Sequence, residues 1–528
     1  MNLAILIEND STLLKWQFES LKLAVERGHS ISRVIIAMSR KKKRKYQYSK
    51  FLYYFFVYIF RQGLNANKRM SLLPLLSAKT EIKYFDPIQE GIWERIPESA
   101  ATFIESADVL IKFGMGLLRD PQNLPCKYGV ISYHHGDPSS YRGQPAGFWE
   151  MRHEQSLMGV IIQQINNKLD AGRILNISYS RVCNYSYRKT LNSAYLTSIP
   201  MLVKALSALD LNQFIDLSKS KEIFSIPKPK DISIFFFQTV RNKLKRIFYG
   251  LLFEKRWKVG NFSTNTDPVG DLRIRSQNLN VLPIPEGFTF VADPCGFSRG
   301  KLYAEVMNAK SGKGVLGIWN EDSWEIIDMK IEGHLSYPQI VNWEGDTYVF
   351  PEISKSSAPC LFKVDLAGVP TGERFFLRGL DDKRLLDGTL FNFENYWYLF
   401  ASMDPDSHQN TKLFYSGNLN LPFTEHPESP IILDPRASRM AGPIHQSGKV
   451  LFRFGQNCID KYGDGISVSI IEVLSPTHYK ELRVGTIQVE GARGPHTLLF
   501  TENKVWIDFY EEKFVFTAGL RRIKAKYF

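Results

Sequence analysis

Cysteine is scarce in this sequence: five residues (Cys126, Cys183, Cys295, Cys360, Cys458) in 528, widely spaced, with no Cys-x-x-Cys pair. That excludes a disulfide-stapled scaffold and a thiolate zinc site, and it predicts a reduced, cytosolic setting. Long apolar runs are missing too. No segment reaches about 18 consecutive apolar residues, so no membrane-spanning helix is predicted. The N-terminus, MNLAILIENDSTLLKW, carries acids where a secretory leader carries a basic region, which argues against a leader. No Gly-x-Gly-x-x-Gly follows the first apolar run, which argues against a dinucleotide cofactor. Acidic residues are short in one half only. Residues 1–265 hold 39 Lys+Arg against 21 Asp+Glu, and the remainder holds 28 against 33. An anionic partner such as a phosphate, nucleotide-sugar or lipid headgroup therefore belongs to the first half.

What is present suits a globular protein of two to four domains, at roughly 150 residues each. Leu3–Ile7 reads as a strand. Leu14, Phe18, Leu21 and Val25 recur at helical spacing up to Gly28, and Val34–Met38 reads as the next strand, which is the start of a parallel α/β sheet. Further strands are predicted at Ala107–Phe113 and Gly129–Tyr133. The second of these releases His134, His135 and Asp137 at its carboxyl end, where ligands gather in such sheets. After a helix and the strand MGVIIQQI comes Asp170, in a Leu-Asp-Ala-Gly turn. A histidine and a carboxylate delivered by two strand ends are material for proton transfer. Two basic-aromatic stretches, 40–60 and 233–260, read either as helices packed on the sheet or as helices lying in a membrane interface.

The second half repeats. GKLYAEV, GDTYVFPE, NYWYLFAS, GKVLFRFGQ and NKVWIDFY begin at 300, 345, 395, 448 and 503, each a polar turn followed by an aromatic-rich strand with a partner strand before it. Five β units of about 50 residues predict a five-bladed β-propeller, with a sandwich as the alternative. In a propeller the first strands line the axis, so Asp293, Tyr337, Asp387, His445 and His496 are expected to converge on a ligand cup. Glycosidic chemistry needs two carboxylates, and Asp293, Glu352 and Asp387 are the candidates. Taken singly, each is more often a turn former.

The succession of strand, His134, Tyr141-Arg142-Gly143, helix, strand and Leu169-Asp170-Ala171-Gly172 resembles the folate-dependent formyltransferase family, over roughly residues 1–210. The resemblance implies transfer of a formyl group from 10-formyltetrahydrofolate to an amine. His134 would stabilise the oxyanion and move the amine proton, and Asp170 would orient the imidazole. Tyr141, Arg142 and Gly143 would shape the loop that holds cofactor or substrate, with His135 and Asp137 beside them. The family's Asn falls on Ser132, and the loop reads His-Gly-Asp-Pro-Ser-Ser in place of Pro-Ser-Leu-Leu-Pro. Losing an oxyanion donor costs about 3 to 4 kcal/mol.

Residues 262–528 resemble the propeller domain of glucosamine inositolphosphorylceramide transferase proteins and, more distantly, five-bladed glycosidases. The residues that carry this are Ala292-Asp293-Pro294, His334 to Pro338, Pro351-Glu352, Asp387-Gly388, Arg453 to Gln456 and His496-Thr497. The expected organisation is an α/β formyltransferase-like domain at 1–215, a basic amphipathic linker at 216–261 and a propeller at 262–528. The expected function is formyl transfer to the amine of a nucleotide-activated or lipid-linked amino sugar in surface-glycan biosynthesis. The propeller would contribute Asp293, Tyr337, Glu352, Asp387, Arg453 and His496 to read the saccharide. The alternatives are a propeller-centred glycosyltransferase or glycosidase with a degenerate first domain, and a non-catalytic glycan-binding protein. The expected place is the cytoplasm, peripheral on an anionic membrane face. The acidic second half argues against nucleic acid, and no metal is expected.

Overall fold

The computed structural model describes all residues except 39–50, 52, 54, 56, 57, 60–62, 168–171, 217–222, 265, 355–357, 382, 404–407, 460–462 and 528. The chain divides into two units, Met1–Leu244 and Lys245–Phe528.

The first unit is built on a seven-stranded sheet. Its order is Arg173–Arg181, Leu157–Gln164, Val130–His134, Val109–Lys112, Asn2–Glu8, Ser30–Ala37, Glu81–Phe85. Asn2–Glu8 is central because it can be: Leu3 to Ile7 are buried without interruption, as a strand covered on both faces requires. The helix Lys15–Glu26 then turns Trp16, Phe18, Leu21 and Ala24 inward, returning the chain to the parallel neighbour Ser30–Ala37. Val109–Lys112 lies on the other flank of Asn2–Glu8, so the strand order reverses between these two, and ligands in such sheets bind at that reversal. The sheet is mixed and not wholly parallel. Leu157–Gln164 runs antiparallel to both of its neighbours, after a connection from His134 that carries the short helix Phe148–Arg152.

The second unit is mostly β: its described residues form five sheets, with the helix Ala518–Tyr527 at its end. The first three are consecutive antiparallel ribbons that start at Phe288–Ser298, Leu335–Trp343 and Leu385–Phe393. The fourth orders Arg439–Met440, Val450–Gln456, Ile466–Leu474, Tyr479–Glu490 and Gly270–Arg275, and the fifth Leu498–Phe500, Val505–Phe514, Phe253–Phe262 and Asn280–Val281. Every second strand expected from the repeat is present. The last two sheets are completed by segments that precede the first. Phe253–Phe262 pairs with Val505–Phe514 through ten residue pairs.

The stretch 216–261 is therefore no linker where it is described. Ile223–Phe224 pairs with Arg142–Gly143 in the first unit, Pro229–Leu252 is helical, and Phe253–Phe262 is a strand of the second unit.

Candidate functional site

In the first unit, the carboxyl ends of the central strands enclose a cavity of about 240 Å³ lined by Trp93, Lys112, Ser132, Tyr133, Gln144 and Gln163, among others. Register explains the grouping: Ser132 sits opposite Lys112 on one side and Gln163 on the other. The Ser132 hydroxyl donates to the Lys112 carbonyl at 3.4 Å. The Lys112 ammonium donates to the Met115 carbonyl at 3.0 Å. Burial pushes its pKa down to about 8, with Glu8 and Glu94 pulling the other way. Among the described residues, no carboxylate forms an ion pair with it. A cation held this way is a ready donor to an oxygen that gains negative charge.

His134 ends the same strand but lies under the loop that follows. A Cβ on Gly136 would meet its Nε2 at 2.9 Å and the Tyr141 carbonyl at 2.8 Å, so glycine is needed where the backbone crosses the ring. Buried beside it is Glu150. Burial raises the Glu150 carboxyl to about 7, against backbone hydrogen bonds and the charge of His134, which lower it. Glu150 was not anticipated; the signal was a lone acid between Phe148, Trp149 and Met151. Lys112 was also missed, because one lysine near a strand end is unremarkable until the register places it beside Ser132.

The other expected residues divide between packing and loop shape. His135 turns away from the cavity, with Nε2 at 2.9 Å from the Ser198 hydroxyl and its ring edge-on to Trp16 and Tyr195. It does not line this cavity. Asp137 closes its own turn, accepting from the Ser139 N–H and hydroxyl at 2.8 and 2.6 Å. The Tyr141 hydroxyl lies 3.2 Å from His153 Nδ1. Arg142 and Gly143 pair with Ile223 and Phe224, and Gly143, at φ 99°, leaves 2.1 Å between a would-be Cβ and the Phe224 carbonyl. Asp170 lies outside the described residues.

In the second unit, Asp293, Tyr337 and Asp387 occupy corresponding positions in the first three sheets, each left-handed (φ 52°, 49° and 51°) at a break in register. Such backbone costs about 1 to 3 kcal/mol per residue and persists only where the surroundings enforce it. Here hydrogen bonds between sheets enforce it. The N–H groups of Asp293, Tyr337 and Asp387 donate to Asp508, Asp293 and Glu352 at 3.0, 3.2 and 2.9 Å. The Tyr337 hydroxyl bridges Thr389 and the Gly442 N–H. Asp387 takes a two-point contact from Arg439 at 2.5 and 2.8 Å. His496 lies between Asp293 (Nε2, 3.0 Å) and Asp508 (Nδ1, 2.7 Å). Burial opposes its charge, but the two carboxylates outweigh burial and keep the imidazole protonated up to about 10. Atoms of these three residues lie within 4.8 Å of one another, a spacing that suits a cation, yet the imidazolium already meets both carboxylates.

The predicted cup is thus a closed lock. Asp293, Tyr337, Asp387, Arg453 and His496 are all buried, and Arg453 points within its own sheet to Glu481 at 2.6 and 2.8 Å. Glu352 sits at the edge of this network, its carboxyl raised to about 7 by burial and by the charge of Asp387. His445 does not converge. It stacks on Phe500 at 4.3 Å and lines an open cavity of about 1170 Å³ with Phe297, Trp319, Phe500 and Trp506.

A family model described as glucosamine inositolphosphorylceramide transferase 1, N-terminal, matches residues 265–498. Curated proteins called glucosamine inositolphosphorylceramide transferase 1 are similar. The one from Oryza sativa subsp. japonica is 27% identical over 220 residues, 39% of this chain and 29% of the relative. The one from Arabidopsis thaliana is 27% identical over 213 residues, 37% and 27% respectively. The chain spans less than a third of these relatives. Among solved structures, an N-formyltransferase from Helicobacter canadensis aligns at TM-score 0.30 and 12% identity, over 58% of this chain and 95% of its own. The catalytic domain of an α-L-arabinofuranosidase from Coprinopsis cinerea aligns at TM-score 0.30 and 10% identity, over 50% and 98%. Likeness at that level carries no functional weight.

Proposed function

We propose that the chain is a transferase acting on a saccharide-bearing substrate. In this reading the first unit performs group transfer at its strand ends, and the second unit is a five-bladed propeller that holds the saccharide in the aromatic cavity of Phe297, Trp319, Phe500 and Trp506. The observation that carries the reading is the half-buried Lys112 ammonium beside Ser132, in a cavity at the carboxyl end of the sheet. The reaction it fits is formyl transfer to the amine of a nucleotide- or lipid-linked amino sugar. 10-Formyltetrahydrofolate would supply the formyl group. As the amine attacks, the acyl oxygen gains charge, and Lys112 with the Ser132 hydroxyl offers donors where an amide side chain is missing. His134, with Glu150 near it, would take the amine proton and return it to the folate nitrogen as the formyl carbon–nitrogen bond breaks and tetrahydrofolate leaves.

Glycosyl transfer is the second reading. The matching family model and the relatives favour it over formyl transfer, since both carry the name glucosamine inositolphosphorylceramide transferase, which describes transfer of a sugar, and the model lies within the second unit. One experiment separates the two. The full chain is incubated with nucleotide-linked amino sugars, with and without 10-formyltetrahydrofolate, and products are identified by mass spectrometry. Formyl transfer predicts a formylated sugar that appears only with folate and that His134→Ala abolishes. Glycosyl transfer predicts folate-independent loss of the nucleotide that His134→Ala leaves intact.

A further inference from the structure

The helix Pro229–Leu252 has two unlike sides. Ile232 and Phe235 anchor one of them, with Phe235 stacked on Phe148 at 4.7 Å and edge-on to Tyr187 at 5.6 Å. On the other, Phe236, Phe237, Leu244, Ile247, Phe248 and Leu251 are exposed to between 49 and 68%. Their spacing places all six within one arc of about 120°, the width of a stripe that a helix normally buries. Basic residues flank the arc: Lys243 and Arg246 on one side, Lys230, Arg241 and Lys245 on the other. Arg241 also pairs with Glu154. Asp231 is the helix's one acid.

This combination selects the occupant. A second copy laid on the stripe would bring basic flank against basic flank, whereas a surface of anionic headgroups meets both flanks and receives the apolar arc between them. The excess of Lys+Arg, 39 against 21 over residues 1–265, acts in the same direction. No described helix is long and apolar enough to cross a membrane, so the geometry is that of a helix lying in the plane. We propose that Pro229–Leu252 seats the protein on an anionic lipid bilayer, with the phenylalanine and leucine arc at the acyl boundary and the lysines and arginines on the headgroups.

The test is flotation of the full chain with vesicles of phosphatidylcholine alone or mixed with phosphatidylserine. The expected result is binding at least about tenfold stronger to the mixed vesicles and weakened by high salt. Phe237→Ser with Phe248→Ser should abolish it while circular dichroism is unchanged, because both side chains are exposed. Lys243→Glu with Lys245→Glu should remove the preference for phosphatidylserine. Three results would overturn the proposal: a wild-type chain that ignores the mixed vesicles, a double Phe variant that still floats, or a wild-type dimer that the Phe variant turns into a monomer.

Discussion

At the scale of single residues, Lys112 invites the sharpest question. A half-buried ammonium that donates to a carbonyl, with no carboxylate paired to it among the described residues, gives up solvation to stay there, and a methionine of similar length would fill the same volume without that cost. Lys112→Met should therefore leave the thermal midpoint of the first unit unchanged or raised, while formyl transfer falls roughly a hundred- to thousand-fold. In the wild type the donor is lost as pH rises through about 8, where the ammonium gives up its proton. Activity should decline on that alkaline limb, and Lys112→Arg should move the limb upward. A Lys112→Met variant with full activity rules the role out. The contrast with Ser132 and His134 shows what one chain can disclose. Those two stood in a run with Tyr141-Arg142-Gly143, so their place was legible. Lys112 and Glu150 reach the site through register and a helical turn, which residue spacing does not encode.

At the scale of elements, the lock in the second unit repeats what the strand pattern only suggested. Glu305, Glu352, Ser402 and Gln456 occupy matching positions on the second strands of the first four sheets. Of these, Glu352 and Gln456 are legible in the sequence and Glu305 and Ser402 are not, because the repeat shows in its aromatic turns more than in its polar ends. The His496 bridge makes a titration prediction. Its folded pKa is raised from 6.5 to about 10, so its contribution is complete below 6.5 and is lost as pH climbs from there through 10. The raised carboxyl of Glu352 acts in the same direction at lower pH, losing stability as pH rises from 4.5 through about 7. The second unit should accordingly lose on the order of a few kcal/mol between neutral pH and pH 10. Thermal unfolding across that range checks this. His496→Gln should flatten the alkaline decline, and an unaltered slope would mean that the bridge is not charged.

At the scale of the whole molecule, the pairing of Phe253–Phe262 with Val505–Phe514 joins the two ends of the second unit. Local periodicity could not reveal it, since the partners lie about 250 residues apart in sequence and each reads simply as a strand. The fifth sheet was legible as a repeat, but its completion by an earlier segment was not, and that segment had been assigned to a linker. The first unit, by contrast, buries its own core around Leu6, Ile35, Leu110 and Val130 and owes nothing to that closure. Calorimetry of the full chain should show two unfolding transitions, one for each unit. A stop after Thr501 removes the whole of Val505–Phe514, leaving Phe253–Phe262 without its ten-residue partner and Leu498–Phe500 unpaired. The transition of the second unit should then vanish and that of the first persist at its original midpoint. Loss of both together would mean that the first unit depends on the second for its stability, and survival of both would mean that the last sheet is dispensable to the closure.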